Sequence, residues 1–126
     1  MVSISGCLHS DESYATLQRL DLLNVSEAPI ATELRIERAD TGDVVYEESY
    51  DLDPERGTLV DCVWPDAPLY VKTRRADGDE WNSYDTTGNE GCLQLLSRVD
   101  EHGTAFLRHY DECPIRSPTC HVDVSE

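Results

Sequence analysis

The sequence predicts an all-β fold, a two-sheet antiparallel sandwich of seven to eight short strands. Three observations carry that expectation. Apolar residues recur with a period of two through Ala31 to Pro54, Gly- and Pro-based turns punctuate the chain at short intervals, and no stretch has a helical period. A chain of 126 residues fits one domain with one core. The expected organisation is a tether over residues 1–13, a sandwich over 14–113 and an irregular tail over 114–126.

Tyr14 to Leu23 reads as a first strand, with Leu20 and Leu22 on one parity and Leu17 and Leu23 on the other. Asn24-Val25-Ser26 is formally an N-glycosylation acceptor. Asn and Ser are equally ordinary turn formers ahead of Glu27-Ala28-Pro29.

The next segment, Ala31 to Pro54, is the clearest hairpin. Leu34, Ile36, Val44, Tyr46, Tyr50 and Leu52 are apolar between charged neighbours, and Asp40-Thr41-Gly42 suits a three-residue loop with Gly in the left-handed region. That loop sets Ile36 against Tyr46 and Thr32 against Tyr50, and leaves Glu48 opposite Leu34 at a rim or bulge position.

Thr58 to Trp64 is expected to be a strand with Val60, Cys62 and Trp64 on one face, ended by Pro65-Asp66-Ala67-Pro68. Leu69 to Arg75 and Glu80 to Asp85 form a second hairpin around Asp77-Gly78, which opposes Val71 to Tyr84 and Arg74 to Trp81. The last hairpin runs from Cys92 to Cys113. A two-residue turn at His102-Gly103 puts Val99 against Phe106 and Leu95 against Tyr110 on the core face, and Cys92 against Cys113 on the other.

The formal net charge is −16, from 26 Asp plus Glu against 10 Lys plus Arg, and Lys72 is the single lysine. Such a surface suits concentrated salt, where screening makes carboxylate repulsion tolerable. An acidic domain from a low-salt environment is the alternative, and the scarcity of lysine favours the halophilic reading. Nucleic acid is excluded as an expected partner, because phosphate binding needs clustered Lys and Arg.

Five cysteines, Cys7, Cys62, Cys92, Cys113 and Cys120, form no C-x-x-C pair, so zinc-ribbon and thioredoxin readings lack their signal. The expected pattern is two disulfides and an odd thiol in an oxidising compartment, against the alternative of free thiols in the cytosol. Hairpin alignment pairs Cys92 with Cys113, and elimination pairs Cys62 with Cys120. Ile4-Ser5-Gly6-Cys7 looks like the end of a lipoprotein signal, with Cys7 as the lipidated residue, although the charged and apolar segments that should precede it are missing from this sequence.

Chemistry is sparsely signalled. His109, Cys113, Cys120 and His121 are able to ligate zinc or copper, but a disulfide at Cys113 removes one ligand. G-x-S-x-G, P-loop, H-E-x-x-H and Gly-rich dinucleotide motifs are all absent, so no catalytic residue, metal or cofactor is expected. Cys7 as a thiol nucleophile would have only His9 as a local base. Trp64, Trp81, Tyr70 and Tyr84 offer an aromatic face for a sugar or protein, or else core and cross-strand pairs.

Several motifs together carry a resemblance. A short strand ending in Asn24 is followed by V-Y-E-E-S-Y-D-L-D-P (Val45 to Pro54), V-W-P (Val63 to Pro65), L-Y-V (Leu69 to Val71), D-G-D-E-W (Asp77 to Trp81) and a terminal Cys-hairpin-Cys. This succession resembles the small immunoglobulin-like domains of haloarchaeal secreted lipoproteins over most of residues 7 to 113. The resemblance implies an exported, surface-anchored immunoglobulin-like sandwich, and it assigns no activity to particular residues. The expected function is therefore a non-enzymatic extracellular or cell-surface module that binds an unknown protein or glycan and meets the membrane only through its anchor. The alternative is a structural subunit that self-assembles into a filament, envelope layer or virion.

Overall fold

A computed structural model describes residues 13–111 and 113. Its strands are β1 (Thr16–Asn24), β2 (Ile30–Arg38), β3 (Val44–Leu52), β4 (Gly57–Val60), β5 (Leu69–Arg75), β6 (Asn82–Asp85), β7 (Cys92–Asp100) and β8 (Gly103–Asp111). They form two four-stranded sheets, ordered β4-β1-β7-β8 and β3-β2-β5-β6. The expected tether, apart from Ser13, and the expected tail lie outside the described residues.

The antiparallel expectation is corrected at one pair. β1 runs parallel to β7, with Leu20 beside Leu95 and Leu22 beside Ser97, while β4 flanks β1 antiparallel. No hairpin joins β1 to β7, so no turn signal in the sequence reports their direction. Within β1 the register shifts between Leu17 and Arg19. An extra residue there switches the pleat, which is why Ala15 and Leu17 before it and Leu20 and Leu22 after it are all buried.

The β2–β3 hairpin has the expected register from Thr32 to Ile36: Ile36 opposes Tyr46, Thr32 opposes Tyr50, and Leu34 opposes an exposed Glu48. Beyond Ile36 the expectation is corrected, because a bulge pairs Glu37 with Val44, which leaves Val44 50% exposed and turns Val45 toward the core instead. Gly42 takes φ +84°, and the loop closes through Gly42 N–H to Arg38 O and Arg38 N–H to Asp43 O, both 2.8 Å. β5 and β6 also pair as expected, with Val71 opposite Tyr84. Their turn differs. Gly78 N–H donates to Arg75 O (2.8 Å), so the turn centres on Ala76-Asp77, and β6 begins at Asn82 rather than Glu80.

The β7–β8 hairpin is displaced by two residues from the expected register, with Val99 opposite Thr104 and Cys92 opposite Asp111. The cause is Asp100, whose carboxylate accepts the N–H groups of His102 (2.8 Å) and Gly103 (3.1 Å) and makes Glu101-His102 the turn. A two-residue displacement preserves the pleat, so Val99 is buried and Phe106 and Tyr110 pack against the core as expected. β4 is shorter than expected. It ends at Val60, and Cys62 adopts φ +61°, which a strand cannot accommodate.

Leu20, Leu22, Leu34, Ile36, Leu69, Val71, Leu93 and Leu95 fill the space between the sheets. Each such side chain contributes about 2 kcal/mol by leaving water. Polar contacts cross the same space. Ser97 Oγ donates to Thr73 Oγ1 (3.3 Å), the Tyr84 and Tyr110 hydroxyls share a hydrogen bond, and the Arg75 guanidinium donates to Asp100 O (3.3 Å) and Glu101 O (2.5 Å).

Candidate interaction surface

Cys92 and Cys113 form a disulfide with Cα atoms 4.9 Å apart. They do so although Asp111, not Cys113, stands opposite Cys92, because the chain beyond β8 brings Cys113 within reach. Cys62 is also disulfide-bonded, and its expected partner Cys120 lies outside the described residues. Cys7, His9 and His121 lie outside them as well. With Cys113 oxidised, the His109, Cys113, Cys120 and His121 metal set loses a ligand. Among the described residues no group of three His, Cys, Asp or Glu side chains is placed to hold a metal ion.

Asn24 is fully buried and forms a joint between the sheets. Its side-chain N–H groups donate to Ala28 O (2.8 Å) and Leu52 O (2.9 Å), and its carbonyl accepts both the N–H and the hydroxyl of Ser26, each at 2.8 Å. At the formal glycosylation site the Asn24 amide nitrogen is buried in the folded domain, with both of its N–H groups engaged. The turn-forming role of the Asn-Val-Ser triplet accounts for all of it.

The four aromatics do not form one face. Trp64 donates its ring N–H to Leu17 O (2.7 Å) and packs against the core, and Tyr84 lies inside with its ring 5.8 Å from that of Phe106. Burial, and then the Tyr110 hydroxyl, push the Tyr84 phenol above its ordinary pKa, and burial with the Tyr46 hydroxyl does the same at Tyr50. Trp81, by contrast, lies outside β5, where the guanidinium carbons of Arg35 and Arg74 sit 4.9 and 4.4 Å from its ring centre.

Those arginines belong to a lattice of charges on the outer face of β3-β2-β5-β6. Arg35 pairs with Glu47 (3.0 Å), Arg74 with Glu33 (2.7 Å) and Lys72 with Glu37 (3.1 Å). Beside Trp81 an open cleft of about 730 Å³ runs between the β5–β6 loop and the β7–β8 turn, past Arg75, Asp77, Asn82 and His102. Its Arg75 and Asn82 are already engaged, Arg75 with Glu101 O (2.5 Å) and Asn82 with Thr104 O (3.0 Å), although the buried Arg75 Nε has no hydrogen-bond partner among the described residues.

The outer face of β4-β1-β7-β8 is different in kind. Strand registers place Leu59, Asp21, Leu96 and Leu107 in one row across the four strands, and Gly57, Leu23, Arg98 and Ala105 in the next. Leu59 and Leu107 are each 50% exposed, while Leu23 and Leu96 are half-buried. One acid and one base stand among these eight positions, on a chain of net charge −16. Sequence reasoning missed this surface, yet a signal was present. Every strand of the sheet carries an apolar doublet, Leu59-Val60, Leu22-Leu23, Leu95-Leu96 and Phe106-Leu107, as expected of strands with apolar surface on both sides.

No protein-family profile matches the chain, and no curated protein matches it. Among solved structures it is similar to the membrane-binding domain of pneumolysin, at 14% identity and a TM-score of 0.37, covering 75% of this chain and 97% of that one. A non-haemolytic pneumolysin from Streptococcus pneumoniae (14% identity, TM-score 0.35) and intermedilysin bound to human CD59 (12%, 0.35) match over the same 75% of this chain and 24% of each toxin. The chain thus spans about a quarter of the whole toxins' length. Likeness at this level carries nothing about what this chain binds.

Proposed function

We propose that this chain is an exported, immunoglobulin-like sandwich domain of a high-salt organism, tethered through Cys7, that works by binding through the outer face of β4-β1-β7-β8 rather than by catalysis. The observation that carries the reading is the row of Leu59, Leu96 and Leu107. An apolar row left open on so acidic a chain marks a contact surface, and apart from Val25 and Val44 it holds the exposed large apolar side chains of the described residues. Export is supported by the Cys92–Cys113 bond, which persists in oxidising compartments.

Peptide mapping of the non-reduced native protein, with mass analysis of its N-terminal peptide, tests export and anchoring together. The expected result is lipid on Cys7, with Cys92–Cys113 and Cys62–Cys120 linkages. Free thiols at Cys92 and Cys113 in freshly purified native protein would overturn the compartment, and an unmodified Met1 start in cells would overturn the anchor.

A further inference from the structure

We infer that the occupant of the apolar face is a second copy of this chain, held in a weak two-fold dimer that forms in concentrated salt. The inference rests on the reading of that face as the contact surface. Three features select a second copy over another partner.

The first is charge. Two chains of net charge −16 repel each other wherever carboxylates meet, but the two central rows of this face hold only Asp21 and Arg98, which sum to zero. Such a patch approaches its own copy at the smallest electrostatic penalty available. The second is self-complementarity. Asp21 on β1 and Arg98 on the neighbouring β7 lie one row apart; Asp21 is paired with Arg19 of its own strand (3.2 Å) and has a second carboxylate oxygen to offer, while Arg98 is exposed with no ion pair among the described residues. A two-fold axis lying in the face between these residues sets each Arg98 over the other copy's Asp21, which packs the two sheets closer to orthogonal than aligned. Leu23, Leu96 and Leu107 of each copy then lie over their counterparts in the other, and Leu59 packs beside the other copy's Arg98.

The third feature is size. Four strands about 4.8 Å apart and up to nine residues long give a footprint of about 500 Å² per copy. A stable interface commonly buries about 800 Å² on each side, so the contact is too small to hold against repulsion in dilute buffer. Screening shortens from about 10 Å at 0.1 M salt to about 3 Å at 1 M, which removes the repulsion and leaves the apolar contact.

Sedimentation equilibrium of the purified, oxidised chain at 0.1 M and 3 M KCl tests this, with 1-anilinonaphthalene-8-sulfonate fluorescence as a second reading. The expected result is a monomer at low salt and a doubled mass at high salt. The double variant Leu59→Asp/Leu107→Asp is expected to weaken dimerisation at least tenfold, with an unchanged monomer unfolding midpoint because both positions are half exposed. Ser49→Asp, on the exposed face of β3, is expected to leave the dimer intact. A monomer at 3 M KCl that still binds the dye at Leu59 and Leu107 would overturn the second copy while leaving the face open to another protein. A monomer that binds no dye would overturn the contact surface as well, as would a dimer indifferent to the double variant.

Discussion

The outer faces of the two sheets answer the same demand in opposite ways. On β3-β2-β5-β6 the exposed positions of neighbouring strands carry Arg35, Lys72 and Arg74 against Glu33, Glu37 and Glu47, closed over by Trp81. On β4-β1-β7-β8 the corresponding positions carry Leu23, Leu59, Leu96 and Leu107. One face is built of charges held in cross-strand pairs, while the two central rows of the other carry only Asp21, paired with Arg19 (3.2 Å), and Arg98. Paired charges complete a surface, whereas exposed leucines leave a free-energy gain available to whatever covers them.

Breaking the joint between the sheets should have the largest effect. Asn24→Ala removes four hydrogen bonds and leaves the buried N–H of Ser26 without its acceptor. A loss of about 3 kcal/mol is expected, read from the denaturant midpoint, since each orphaned buried group costs about 1–3 kcal/mol. A loss near zero would mean that Asn24 is not what couples the faces.

The next test is the far edge, where Tyr84 of β6 meets Tyr110 of β8. Tyr84→Phe should lower stability by about 1 kcal/mol at neutral pH. The wild type should also lose stability above about pH 10: the unfolded chain releases phenolic protons there, while the folded Tyr84 and Tyr50, with pKa values raised by burial, retain theirs. The stabilisation is complete below pH 10 and declines as pH rises further. Tyr84→Phe combined with Tyr50→Phe should flatten this alkaline limb, measured as the unfolding midpoint between pH 8 and 11.

Salt offers the smallest and sharpest contrast. Arg74→Ala removes an exposed ion pair and a stacked guanidinium, so it should cost about 0.5–1 kcal/mol in 0.1 M salt and less at 3 M KCl. The wild-type unfolding midpoint should nevertheless rise with KCl, because general carboxylate repulsion on a chain of net charge −16 outweighs a few pairs. A midpoint that falls with salt would assign the dominant electrostatic role to the ion-pair lattice.

How far this was legible varies by element, for reasons the structure makes plain. The β2–β3 register could be read because Gly42 supplies the one loop conformation that closes it. The β7–β8 register could not be read from His102-Gly103 alone, because a side chain, Asp100, sets the turn. The clash of parity between Leu17 and Leu20 was visible as a pattern but needed the partner strand to become a bulge. The parallel neighbour of β1 left no local trace at all. Asn24 was legible as a turn former, and not as a buried joint, since its acceptor Leu52 O lies 28 residues away. The apolar outer face of β4-β1-β7-β8 was written as doublets, which period-two reading discards as noise.

That parallel pairing also governs when the fold can form. β1 is the first of the described strands to be synthesised, yet its long partner β7 begins at Cys92, and its other neighbour β4 offers a ladder of four pairs. The central ladder of one sheet therefore closes only after nearly the whole chain is available, a high contact order that slows folding. A chain that cannot complete its core before residue 100 has emerged spends its synthesis without the central ladder of one sheet. The same delay keeps the apolar doublets of four strands uncovered together, so β7, arriving late, commits both faces of its sheet in one step.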